Sequence, residues 1–254
     1  MSRVLLVGYS HLHALMRAYQ QRVRQRRDEI FALDSLEFEP HGRHQPTAEQ
    51  AVGSLVNYQV IQADMERLID HGKPELIVAS LWGNQHFFLS VSRGPRPFDF
   101  VLPAEPDREL TEDAEVIPYD LVHGFLKSLC DKADEAPRFF REFTSLPIVS
   151  VAAPPPIEHV LEIAGGTSSA VLDARVKEYG LAPAVLRYKL WKVCEQIFRA
   201  KAKEQGITFL QVPPETADRR GFRYREYYGQ DWIHASPSYG ELVLKQVDKL
   251  LNPD

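Results

Sequence analysis

The chain has 254 residues, 44% of them hydrophobic and 26% charged, the balance of an ordinary soluble globular protein with enough chain to bury a full core. A formal net charge of -5 gives the molecule no overall field that would draw nucleic acid or an anionic membrane. No segment approaches the roughly 20 apolar residues needed to cross a bilayer. The opening Val/Leu run is too brief for the core of a signal peptide. Two cysteines, Cys130 and Cys194, do not make a disulfide framework, so a reducing, cytoplasmic setting is expected.

Taken in order, residues 3–8 read as a strand buried on both faces, since Val4 to Val7 is an unbroken apolar run. From Leu12 to about Arg27 the spacing of Leu15, Met16, Tyr19 and Val23 predicts a helix with one apolar face, its other face carrying solvated arginines. Residues 29–38 alternate as a second strand. A polar loop follows, then a helix from about Thr47 that stops at Gly72-Lys73-Pro74. Residues 75–81 form the third strand. The proline-rich, acidic stretch 92–118 reads as an irregular insertion at one rim. A helix over 119–143 precedes the fourth strand at 147–152, which Pro154-Pro155-Pro156 ends. Residues 157–182 show no clear period. Pro183 opens a long helix to about Gln205, Gly206 closes it, and 207–212 form the fifth strand. A loop rich in Arg and Tyr leads to Asp231, and residues 239–251 make the last helix.

Strand and helix alternate throughout, which predicts a three-layer α/β/α domain spanning 1–254, built on a five-stranded parallel sheet. Right-handed crossovers favour the strand order 2-1-3-4-5. In such sheets ligands bind beyond the C-terminal ends of the strands. Three polar groups are expected at that edge: Ser10 after the first strand, Asn84 after the third, and the Asp231-x-x-His234 pair after the fifth. Gly8 allows a tight turn before Ser10. His234 would take the Ser10 proton, Asp231 would hold its tautomer, and Asn84 would offer a neutral N–H donor to an oxyanion.

In these residues the chain resembles the SGNH, or GDSL-type, hydrolase superfamily, whose active sites are marked by an early Ser, a Gly, a Gly-x-Asn and a late Asp-x-x-His. The resemblance implies Ser10 as nucleophile, His234 as base, Asp231 as the acid of a triad, and Asn84 as oxyanion donor. It also implies a second-block glycine whose amide helps, with Gly53 the choice and Gly42 the rival. Two positions depart from the family pattern: Tyr9 stands where an acid commonly precedes the serine, and Gln85 follows Asn84 where an Asp is frequent. Neither replaces a triad member, so they bear on substrate preference. Tyr9, His11, Trp82 and Trp232 are the candidate substrate contacts; Tyr224, Tyr227 and Tyr228 beside Trp232 fit either an aromatic platform for a sugar ring or structural packing, and Trp82 allows the same two readings.

The implied activity is serine-dependent hydrolysis of a small acyl ester, with an O-acetylated carbohydrate as one such substrate and with no metal or organic cofactor. Acyl transfer to a sugar hydroxyl, or a non-catalytic binding module on the same fold, remain as alternatives. A metal site started by His11-x-His13 would suit a barrel with eight strand-helix units, and only five strands are readable here. A Rossmann dinucleotide site lacks its second and third glycines after Gly8. Cys130 and Cys194 lie in helices and read as core thiols.

Overall fold

A computed structural model of the protein describes residues 2–25, 31–37, 58–81, 83, 85–132, 138, 141, 144–163, 166–167 and 169–252. The first strand, β1 (Ser2–Gly8), is followed by α1 (Leu12–Arg24), β2 (Phe31–Glu37), α2 (Tyr58–Gly72) and β3 (Leu76–Ser80). A single turn, α3 (Phe87–Ser90), and two short strands, β4 (Phe98–Asp99) and β5 (Glu115–Val116), lead to α4 (Tyr119–Lys132). Then come β6 (Ile148–Val151), α5 (Ala170–Tyr179), α6 (Ala184–Glu204), β7 (Thr208–Leu210) and α7 (Pro237–Leu251). The main sheet is five-stranded in the order β2-β1-β3-β6-β7, and every pairing in it is parallel. This is the strand order, and the parallel α/β architecture, expected from the sequence.

The period of two along a strand sorts its side chains between the two layers of helices. Leu5 and Val7 of β1, with Ile77 and Ala79 of β3, face a core completed by Met65 of α2, Leu126 of α4 and Leu190, Val193 and Ile197 of α6. Val4 and Leu6, with Leu76 and Val78, face the opposite core, completed by Leu12 and Leu15 of α1 and by Val243, Leu244 and Val247 of α7. Both faces of the central strands are therefore dry, which is why β1 and β3 read as continuous apolar runs.

Gly8 is demanded by the packing of β1 on β3. Its φ of +131° is one that L side chains rarely adopt, and a Cβ there would lie 2.2 Å from the Ser80 carbonyl oxygen. The same close approach lets the Tyr9 amide donate to Ser80 O at 3.0 Å. The chain then turns directly into α1, with the Leu12 and His13 amides donating to Tyr9 O and Ser10 O.

Two stretches differ from expectation. Residues 92–118 are tied into the core: β4 and β5 form a parallel two-stranded ribbon, and Phe100 and Leu102 are fully buried. Asp99 anchors the ribbon. Its carboxylate accepts from Lys189 Nζ of α6 at 3.0 and 3.1 Å and from the Phe100 and Thr111 amides at 2.7 Å each. The stretch 157–182, which lacks a readable period, contains a short turn at Val160–Glu162 and the helix α5. No residue of α5 is fully buried; only Leu172 and Val176 pack, partly covered, on the cluster around Trp232, too narrow a stripe to read from the sequence. Smaller differences lie at element ends. α1 closes at Arg24, and α7 begins at Pro237, where Ser236 caps it by accepting from the Tyr239 amide at 3.4 Å. The start of the second helix near Thr47 lies outside the described residues.

Both charges of the Lys189–Asp99 pair are fully buried, so removing one leaves the other without its counter-charge. Lys189→Met is expected to destabilise the protein by about 3–5 kcal/mol in urea denaturation. The double variant Lys189→Met with Asp99→Asn recovers part of that loss. A single variant as stable as wild type would show that the pair does not hold the ribbon.

Candidate functional site

Ser10 and His234 each sit just ahead of a helix, α1 and α7, and these helices pack side by side on one face of the sheet. Among the described residues the Ser10 amide donates to no carbonyl. Ser10 Oγ lies 2.8 Å from His234 Nε2, although the two residues are 224 apart in sequence. His234 Nδ1 lies 2.7 Å from Asp231 Oδ2. A carboxylate can only accept, so Nδ1 carries the proton and Nε2 is left to accept from the Ser10 hydroxyl. The other Asp231 oxygen accepts from the Ile233 and His234 amides at 2.9 and 2.8 Å. Asp231 thus folds its own turn and orients the ring that follows three residues later.

Further imidazoles surround this pair. The His11 ring is 5.4 Å and the His13 ring 6.4 Å from His234, centroid to centroid. His11 is buried, and Gly83 rests on it: a Cβ at Gly83 would lie 2.8 Å from His11 Cδ2 and Nε2. The Gly83 amide donates to Gln85 Oε1 at 3.1 Å, and His86 makes a hydrogen bond with the Gly83 backbone. Gly83 therefore meets the Gln85 side chain, the His11 ring and the His86 ring. Burial, and then the nearby His11, draw the His86 imidazole from 6.5 down to about 3, against the opposite pull of the Gly83 bond. His86 is neutral at any physiological pH.

The remaining sequence candidates divide sharply. Tyr9 is half-buried and packs against the core of α2, α4 and α6. Trp232, read from sequence as a substrate contact, is only 8% exposed; its ring lies among Val91, Ile157 and Val160, and its Nε1–H points to Ile163 O at 3.4 Å. It fastens the Asp231 turn to the 157–163 segment and offers no open face. Tyr228 packs on the same cluster, and Tyr224 is exposed. Gly53, its rival Gly42, Trp82 and Asn84 lie outside the described residues. Cys130 and Cys194 are buried free thiols. The hydrogen bond to Cys130, and then burial, push the Cys194 thiol well up. Among the described residues no group of three or more His, Cys, Asp or Glu could hold a metal ion, and no helix is long and apolar enough to cross a membrane.

Two residues at the site carry no sequence signal. His86 stands two positions beyond Asn84 with nothing in its neighbours to single it out. Arg223, in the Arg- and Tyr-rich loop, is 3% exposed and reaches the carbonyls of Ile233 and His234.

No family model matches the sequence, and no curated protein matches it significantly. Among solved structures the chain is similar to a GDSL-like lipase from Bacteroides thetaiotaomicron VPI-5482, at 13% identity over 98% of this chain and 88% of that one, with a TM-score of 0.45. It is similar as well to Est24, a carbohydrate acetylesterase from Sinorhizobium meliloti, at 12% identity over 99% and 98%, with a TM-score of 0.45. Identity and superposition at this level transfer neither a substrate nor a residue role.

The depressed His86 value has a measurable consequence. A base neutral in the folded state but ordinary in the unfolded chain makes the unfolded state bind the extra proton below pH 6.5. Stability then rises with pH in that window and falls as pH drops from about 6.5 towards 3. Between pH 7 and pH 5 the His86 contribution is about 2 kcal/mol. His86→Leu, whatever its stability at pH 7, is expected to lose less than wild type on moving to pH 5, by about that amount. Equal losses in urea titrations of the two proteins would refute the assignment.

Proposed function

We propose that this protein is a serine-dependent ester hydrolase working through an acyl-enzyme. The observation that supports the reading is the pair of hydrogen bonds linking Ser10 Oγ to His234 Nε2 at 2.8 Å and His234 Nδ1 to Asp231 at 2.7 Å. A hydroxyl, an imidazole in the accepting tautomer and an orienting carboxylate are the parts that activate a weak nucleophile near neutral pH.

Each group then has one task. Ser10 Oγ forms a bond to the ester carbonyl carbon as its proton passes to His234 Nε2. Asp231 stabilises the imidazolium through Nδ1–H. The tetrahedral oxyanion collapses, the bond to the alkoxy oxygen breaks, and the departing alcohol takes the proton from Nε2. Water repeats the sequence: it gives its proton to His234, attacks the acyl carbon, and releases the acid with the return of that proton to Ser10. The oxyanion donors proposed are the Ser10 amide, which donates to no carbonyl among the described residues, and, as the resemblance implies, Asn84 and the Gly53 amide. The mechanism asks for no cofactor.

The substrate class proposed is a small acyl ester. The carbohydrate alcohol suggested by the aromatic cluster is not carried forward, because Trp232 is buried and Tyr228 packs with it.

Turnover of p-nitrophenyl acetate tests the reading. Ser10→Ala and His234→Ala, with circular dichroism as for wild type, are each expected to lower kcat by at least about a thousandfold. A fluorophosphonate probe should label wild type and leave Ser10→Ala unlabelled. Activity in Ser10→Ala equal to that of wild type would overturn the proposal.

A further inference from the structure

We infer that Arg223 is the positioning residue for the His234 base, acting through the peptide carbonyls of the turn that carries it. The guanidinium is almost fully buried and uses each of its nitrogens. Nε donates to Pro155 O at 3.0 Å, one terminal nitrogen to His234 O at 2.6 Å, and the other to Ile233 O at 3.3 Å. Its own amide donates to Pro156 O at 3.0 Å.

These contacts bridge two pieces of chain that no sheet pairing joins. Pro155 and Pro156 follow β6, a strand two places from β1 in the sheet, and β1 ends next to Ser10. Ile233 and His234 lie in a turn without helix or strand, held also by the Asp231 carboxylate on their amides, by the Gly229 amide on His234 O at 3.1 Å and by the Trp232 amide on Gly166 O at 2.9 Å. Arg223 therefore refers the base to the same sheet that positions the nucleophile. A planar fork with fixed donors suits this task, and a flexible ammonium does not reproduce it.

The cost of burying this charge argues against an incidental contact. Among the described residues the guanidinium meets only carbonyl oxygens, and a buried cation without a bonded carboxylate carries a large desolvation penalty. Burial brings its pKa down to about 10, partly offset by Tyr239, Tyr228 and Asp231, so the charge persists at neutral pH. Arg187 has a related but separate place: it bonds the carbonyls of Ala182, Ile157 and Glu158 and none in the base turn.

The inference rests on the ester-hydrolase reading only for its kinetic arm, and the test separates the two. Wild type, Arg223→Lys and Arg223→Gln are compared as full chains, folded by circular dichroism, in two measurements. One is kcat and KM on p-nitrophenyl acetate. The other is the downfield proton resonance of His234 Nδ1–H, assigned by its loss in His234→Gln. Arg223→Gln is expected to lower kcat about ten- to a hundredfold with KM within about twofold, and to broaden the Nδ1–H resonance away. Arg223→Lys, which keeps the charge and part of the bonding, should restore some of both. A folded Arg223→Gln with wild-type kcat and an unchanged resonance overturns the inference. Should that variant fail to fold, a wild-type resonance and kcat in Arg223→Lys does the same. Absence of turnover in wild type, with a resonance still lost in Arg223→Gln, would sink the hydrolase reading and leave the positioning role standing.

Discussion

The packing of α1 against α7 is the constraint on which the site depends. Ser10 precedes the first of these helices and His234 the other, so the register between them sets the distance between groups 224 residues apart. Leu12, Ala14, Leu15 and Ala18 fill one side of that seam and Val243, Leu244 and Val247 the other. Further along the helices, Arg22 clamps Glu241 at 2.7 Å and Asp248 at 3.0 Å. These charges are largely shielded from water, and paired, directional contacts of that kind resist sliding better than an apolar seam alone. A slip of one turn, about 5.4 Å, would separate the hydroxyl from the imidazole entirely.

The rest of the site is assembled from loops, and buried charge does the work that sheet pairing does elsewhere. Arg223 and Arg187 tie carbonyl groups of irregular chain, and Asp99 with Lys189 ties the β4–β5 ribbon to α6. A loop buried in a protein must satisfy its backbone oxygens somehow. Here guanidinium forks satisfy several at once. That solution is demanding, because each cation must meet all its partners or become a defect.

Neutrality matters as much as charge near the Ser10–His234 pair. His86 is kept uncharged by burial and sits with His11 behind the Gly83 backbone. The buried His11 ring lies against Gly83, and His86 bonds its backbone.

Patterns local in sequence were legible without coordinates. The apolar runs at Val4–Val7 and Leu76–Ala79, the Gly and Pro punctuation, and Asp231-x-x-His234 each express a period or a short-range preference, and together they specify the strand order. Tertiary structure alone decided the rest. The helix α5 only partly covers Leu172 and Val176, too narrow a stripe to give a readable period. Trp232 looks like a substrate platform until its packing against Val91 and Ile157 is seen. Arg223 and His86 act through contacts whose partners lie 10 or 11 residues away, 68 residues away, or in a buried ring neighbour. Residue type and spacing announce what a side chain can do chemically. Which oxygen it faces, and whether water reaches it, are set only when distant segments meet.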